Sequence, residues 1–210
     1  DAEAAASGSV GLYIDLSNCN VCRKGLPATC SGTLIAPNLV LSARHCLDTP
    51  AVLNGTLERV VFAADMFSDS AVSRPVEKVL STRDYGISSE GGGDLILIRF
   101  AGAAPPTWRV QELPLGLLPS KAEEAEARRR NSPLYPDGLG MPTLVTYGYG
   151  QQSTRGTIDP EKYSAGVLKK IAVDVRTEIR PWAAGFLTTP TERGTGTCAG
   201  DSGGGVVAAL

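Results

Sequence analysis

The sequence predicts an all-β protein, and three observations carry that prediction. Glycine and proline are abundant, at 24 and 14 of 210 residues, and they are scattered along the chain rather than gathered in one tract. That distribution suits many short strands joined by turns and suits long helices poorly. Most apolar stretches are short, alternating or bounded by turn residues, and only one segment has a convincing helical pattern. Hydrophobic residues make up 42% of the chain, enough to bury a core, and no internal repeat stands out.

Taken in order, residues 9–16, SVGLYIDL, alternate loosely and predict a strand. CNVCRKGLPA comes next as a loop. TCSGTLIAPNLVLSARHC predicts two strands around the turn Ala36-Pro37-Asn38, ending in a short cysteine-closed segment. Between 58 and 80, ERVVFAA and SRPVEKVL are rich in β-formers, and GGGDLILIRF leads from a glycine turn into an apolar strand. Residues 101–116, AGAAPPTWRVQELPLG, hold three prolines and little periodicity, which marks them as the connection between two halves. KAEEAEARRR, 121–130, is the helical segment: Glu124 precedes Arg128 and Glu126 precedes Arg130 at the favourable four-residue spacing. It reads as a solvated helical insertion, although the run Arg128-Arg129-Arg130 would also suit an exposed processing site. LVTYGYGQQ and GVLKKIAVDVR then return to strand patterns.

Charge narrows the function classes. Asp and Glu number 22 against 20 Lys and Arg, a net charge of −2, and no basic stripe is present. That argues against a phosphate-tracking surface, so no nucleic-acid partner is expected. No apolar run approaches the roughly 20 residues of a membrane span, and residues 1–10 lack the basic start and apolar run of a signal peptide. A soluble, processed segment with no membrane partner is expected. The five cysteines, 19, 22, 30, 46 and 198, are odd in number, so in an oxidising compartment one pairs outside this segment or stays free.

The strongest local signal is Gly-Thr-Cys-Ala-Gly-Asp-Ser-Gly-Gly, 196–204. Glycines on both sides of Ser202 permit a tight turn that exposes its hydroxyl. A hydroxyl at its ordinary pKa is a poor nucleophile and needs a base within hydrogen-bond reach. The chain holds one histidine, His45, so an imidazole base for Ser202 can only be that residue. A bridge from Cys46 to Cys30 would close a loop of about 15 residues, worth roughly 3 kcal/mol on chain-entropy grounds, and would hold the His45 loop against the Cys30 strand. A carboxylate must fix the imidazole tautomer, and Asp94 is the natural candidate. It comes after three glycines and precedes Leu95-Ile96-Leu97-Ile98, a strand expected to bury it at a barrel edge.

These segments resemble a known family. CSGTLIAPNLVLSARHC is similar to the cysteine-to-histidine segment of the trypsin-like serine proteases of chymotrypsin fold. GDLILIRF is similar to their aspartate segment, TCAGDSGG to their nucleophile segment, and the order His, Asp, Ser is theirs. Val-Thr-Tyr-Gly-Tyr-Gly, 145–150, resembles the strand opening their second barrel, with Tyr149 in place of a tryptophan, and Arg44 departs from the commoner alanine before the histidine. The likeness runs from about residue 9 to 205. It implies two antiparallel β-barrels, residues 1–104 carrying His45 and Asp94 and residues 105–210 carrying Ser202, the second barrel incomplete at its C-terminal end.

It further implies a serine endopeptidase acting on proteins or peptides through an acyl-enzyme, with His45, Asp94 and Ser202 as triad. The N–H groups of Gly200 and Ser202 would form the oxyanion hole, and Asp201 would receive a new N-terminal ammonium after zymogen cleavage. Gly196, six residues before the nucleophile, stands where trypsin-like enzymes carry an aspartate, so a neutral or apolar preference is expected. No cofactor or metal is implied, and the compartment is secreted, extracellular or periplasmic.

The family pattern continues past Leu210 and begins before Asp1. The expectation is therefore an internal fragment of a protease domain, or one chain of a nicked one, inactive alone and completed by a C-terminal segment or second chain. Cys198 would pair within that further segment. Cys19-Asn-Val-Cys22 could form half a zinc site or a redox pair, but without a second such pair a local disulfide or an outside partner fits better.

Three competing readings are weaker. An idle serine on a glycine turn would not explain three motifs in family order. A non-catalytic homologue acting as a binding or regulatory module usually has a triad substitution, and none is present. An esterase on another fold conflicts with the motif order and the β-rich pattern.

Overall fold

A computed structural model describes residues 1–17, 28–48, 56–87, 93–112, 143–150, 165–174 and 201–208. The expected strands form in the first half: β1 (Ser9–Asp15), β2 (Ala28–Ala36), β3 (Leu39–Ser42), β4 (Thr56–Phe62), β5 (Val72–Ser81) and β6 (Ile96–Phe100). They close into a barrel in the order β1-β2-β3-β6-β5-β4, with every neighbouring pair antiparallel. Closure leaves no sheet edge to be covered.

Alternation in β1 puts Val10, Leu12 and Ile14 inside, where each is at most 1% exposed. Register carries this inward set round the ring: Leu12 stands opposite both Cys30 and Val60, and Val40 opposite Ile98. Leu34, Val60, Ile96, Ile98 and Phe100 complete the buried interior. Each such side chain contributes about 1.5–3 kcal/mol by leaving water. Phe62 meets Phe100 and Trp108 edge-on, with centroids 5.4 and 5.6 Å apart.

Trp108 comes from the segment expected to connect the two halves. Up to Gln111 that segment lies against the barrel: the amides of Ala104, Arg109 and Gln111 donate to the carbonyls of Pro37, Ala5 and Leu34. The Trp108 indole donates to the Ser9 carbonyl at 3.0 Å.

A second, three-stranded antiparallel sheet has β7 (Thr143–Gly148) at its centre, between β8 (Lys169–Asp174) and β9 (Val206–Ala208). Helix α1 and strand β9 are among the elements that differ from the sequence expectation. Helix α1 (Ala2–Ser7) is alanine-rich, packs Ala4 and Ala5 into the barrel core, and ends on Gly8 at φ 65°. At six residues it carries too little periodicity to be recognised from sequence. β9 is three residues long after a glycine run and is defined by its pairing with β7. Cys19, Cys22, Cys198, Gly196, Gly200 and the 121–130 segment lie outside the described residues.

Candidate active site

After Ser42 the chain leaves β3 and enters the short helix α2 (His45–Asp48). Ser42 pairs with Ile96, which brings the start of α2 beside the residues just before β6. The contact is extensive: the Arg44 amide donates to the Asp94 carbonyl at 3.3 Å, and the His45 amide to Asp94 Oδ1 at 2.8 Å. Asp94 Oδ2 lies 2.6 Å from His45 Nδ1, and Ser202 Oγ lies 2.5 Å from His45 Nε2. An ionised carboxylate only accepts, so Nδ1 carries the proton and Nε2 presents its lone pair to the serine hydroxyl. Hydroxyl, imidazole and carboxylate therefore stand in one hydrogen-bonded line, a geometry suited to moving a proton off Ser202.

The Asp94 side chain keeps 32% of its surface accessible, against the expectation that the adjoining strand would bury it. The strand begins only at Ile96, and Leu95 turns outward at 46% exposure, so neither covers the carboxylate. Its flank is held by Thr82, whose hydroxyl donates to the Gly93 carbonyl and whose amide donates to the Leu95 carbonyl at 3.2 Å. Thr82 opens a single 3₁₀ turn (Thr82–Tyr85) capped reciprocally by Ser81 and Asp84.

Ser202 reaches the site by a close approach of backbone. Gly203 has φ 81°, and a Cβ there would run into Ser42 Oγ and the Ser31 carbonyl, so this position needs glycine on both counts. The Ser202 carbonyl accepts the Ser31 amide at 2.9 Å, and Asp201 Oδ1 accepts the Gly150 amide at 2.8 Å. Cys30 and Cys46 form a disulfide across 16 positions of sequence, tying β2 to the helix turn of His45.

Tyr149, which stands where the resemblance expects a tryptophan, is wholly buried beside Val61, Ala63 and Met66 of the first half. Its hydroxyl donates to the Ala63 carbonyl at 2.7 Å, and burial pushes the phenol's pKa far above its ordinary value. His45, Asp94 and Ser202 are thus brought together, and Cys30 with Cys46. Sequence reasoning does not single out Ser31 and Thr82: they act through main-chain contacts, which no residue pattern announces. Among the described residues no cluster of His, Cys, Asp or Glu suited to a metal ion occurs, and no helix is long and apolar enough to cross a membrane.

The profile of the family described as Trypsin matches residues 17–210. Neutrophil elastase of Mus musculus is 28% identical over 180 residues, which are 85% of this chain and 58% of that protein's length. Among solved structures, neuropsin, a serine protease expressed in the limbic system of mouse brain, superposes with a TM-score of 0.60 at 17% identity, covering 96% of this chain and 77% of its own. Human heparin binding protein gives a TM-score of 0.57 at 19% identity, covering 95% and 74%. At these identities the two structures speak to the fold alone, a mostly β architecture of chymotrypsin type.

Proposed function

The chain belongs to the trypsin family of serine proteases, and from that premise we propose that it is a serine endopeptidase whose triad is Ser202, His45 and Asp94. The observation that carries the proposal is the single imidazole held between a carboxylate at 2.6 Å and a serine hydroxyl at 2.5 Å. Ser202 attacks the scissile carbonyl as His45 Nε2 takes its proton; Asp94 holds the tautomer and stabilises the imidazolium. The protonated His45 then gives its proton to the leaving amine, and water releases the acyl group by the same route reversed.

The amides of Gly200 and Ser202 serve as oxyanion donors, each worth about 10²–10³ in rate. Gly196, on the strength of the resemblance, leaves the primary pocket without a carboxylate, so neutral or apolar side chains are preferred over Lys and Arg. Substrates are proteins or peptides. The Cys30–Cys46 disulfide supports a secreted, extracellular or periplasmic location, because such bonds persist in oxidising compartments.

The test is hydrolysis of an unfolded protein substrate by the natural protein that carries these residues. Ser202→Ala and His45→Ala are each expected to lower kcat by at least about 10⁴-fold. Hydrolysis indifferent to either substitution would sink the proposal.

A further inference from the structure

We propose that Ser31 is a positioning residue for Ser202, acting through its hydroxyl as the joint between the first barrel and the exit of β7, where Gly150 holds Asp201. This rests on the protease reading above. Ser31 sits on β2 and is wholly buried. Its amide donates to the Ser202 carbonyl at 2.9 Å, its carbonyl accepts the Ser42 hydroxyl at 2.7 Å, and its Oγ accepts the Tyr149 amide at 2.9 Å. Three segments therefore meet on one residue: the nucleophile loop, the end of the strand that leads into His45, and the exit of β7.

The side-chain bond matters because the residue it anchors adjoins Gly150, which contacts the nucleophile loop. Tyr149 and Gly150 are consecutive, and their amides have different partners. The first is fixed to the barrel through Ser31 Oγ; the second holds Asp201 Oδ1, next to the nucleophile. Space there is minimal, since a Cβ on Gly148 or Gly150 would come within 2.8 or 2.5 Å of the Asp201 carboxyl carbon. Displacing the Tyr149–Gly150 backbone must therefore displace Asp201 and, with it, Ser202. A misplacement of roughly 1 Å at a reacting group can cost about 10²-fold in rate. Loss of Ser31 Oγ strips the Tyr149 amide of this buried acceptor and loosens both ends of the joint.

Tyr149→Phe separates a positioning role from a merely structural one. It removes the buried bond from the Tyr149 hydroxyl to the Ala63 carbonyl but leaves the Ser31–Tyr149 amide bond in place. The experiment measures hydrolysis of a chromogenic peptide with an apolar side chain at the cleavage position, together with thermal unfolding. It compares the wild type, Ser31→Ala, Ser31→Cys and Tyr149→Phe, each in the natural protein that carries these residues.

Ser31→Ala is expected to lower kcat about tenfold with KM within about twofold, a fraction of the cost of a full 1 Å misplacement. Ser31→Cys, with a weaker acceptor, falls between Ser31→Ala and wild type. Tyr149→Phe melts earlier yet keeps its kcat. An unchanged kcat in Ser31→Ala overturns the proposal, as does an equal loss of kcat in Tyr149→Phe. If Ser31→Ala does not fold, wild-type kcat in Ser31→Cys overturns it instead. An inert wild type overturns the protease reading itself, and is thereby told apart from a silent Ser31→Ala.

Discussion

The two nitrogens of His45 are set different tasks by their neighbours. Nδ1 meets an acceptor-only carboxylate, which fixes the proton on that side, and the remaining lone pair at Nε2 faces Ser202. The residue types that chemistry demands are legible in the sequence because each sits in its own short motif and the histidine is unique. Ser31 and Thr82 are not legible, since their bonds run to main-chain groups brought together by register and tertiary packing. Asp94 is identifiable from its motif, but its burial is overestimated from sequence, because strand β6 starts two residues later.

Tyr149 yields a residue-scale prediction about pH. Its ordinary pKa is about 10, and burial raises it well above that in the fold. Above pH ~10 the unfolded chain releases this proton while the folded chain keeps it. The folded state then binds more protons, and stability falls as pH rises. Denaturant unfolding should show this loss beginning near pH ~10, at up to about 1.4 kcal/mol per pH unit. Tyr149→Phe should flatten that part of the curve, and an unaltered slope would count against the buried phenol as its cause.

At the scale of elements, the barrel is the readable part. Strands β1 to β6 match the turn residues and the inward alternation that the sequence displays, from Val10, Leu12 and Ile14 to the pair Ile96 and Ile98. Helix α1 and strand β9 escape such a reading, one too short for periodicity and the other defined by pairing with β7. The Cys30–Cys46 bridge closes a short loop around β3 and the first turn of α2. The double substitution Cys30→Ala with Cys46→Ala should lower unfolding free energy by about 3 kcal/mol, as loop-closure entropy requires. Equilibrium denaturation would show it, and a change below about 1 kcal/mol would mean that the reduced loop is held by packing alone.

The Gly203 turn is a second element-scale test. Gly203→Ala combines a left-handed φ of 81° with a Cβ directed into Ser42 Oγ and the Ser31 carbonyl. The strained backbone alone costs about 1–3 kcal/mol, and the collision must move the Ser202 loop as well. The variant should therefore lose most of its peptide hydrolysis together with stability, measured on the same preparation. Wild-type activity in Gly203→Ala would show that the close approach is not required.

Across the whole molecule, the proposed site is assembled from distant parts of the sequence. His45 and Asp94 come from one closed barrel, while Ser202 stands just ahead of β9 in the second sheet. Tyr149 and Ser31 join the two halves where these parts meet. This explains why the fold class and the three central residues can be read from local motifs while the joint between them cannot. Contacts across a seam depend on how two separately patterned sheets pack, and the sequence carries no period for that.

The central claim, that Ser202 is a nucleophile activated by His45, is tested most directly by labelling with a phosphonofluoridate and locating the adduct by mass spectrometry. In the natural protein carrying these residues, a single adduct is expected on Ser202, and His45→Ala should abolish it under the same conditions. An unlabelled Ser202 in the wild type, or equal labelling in His45→Ala, would contradict the account.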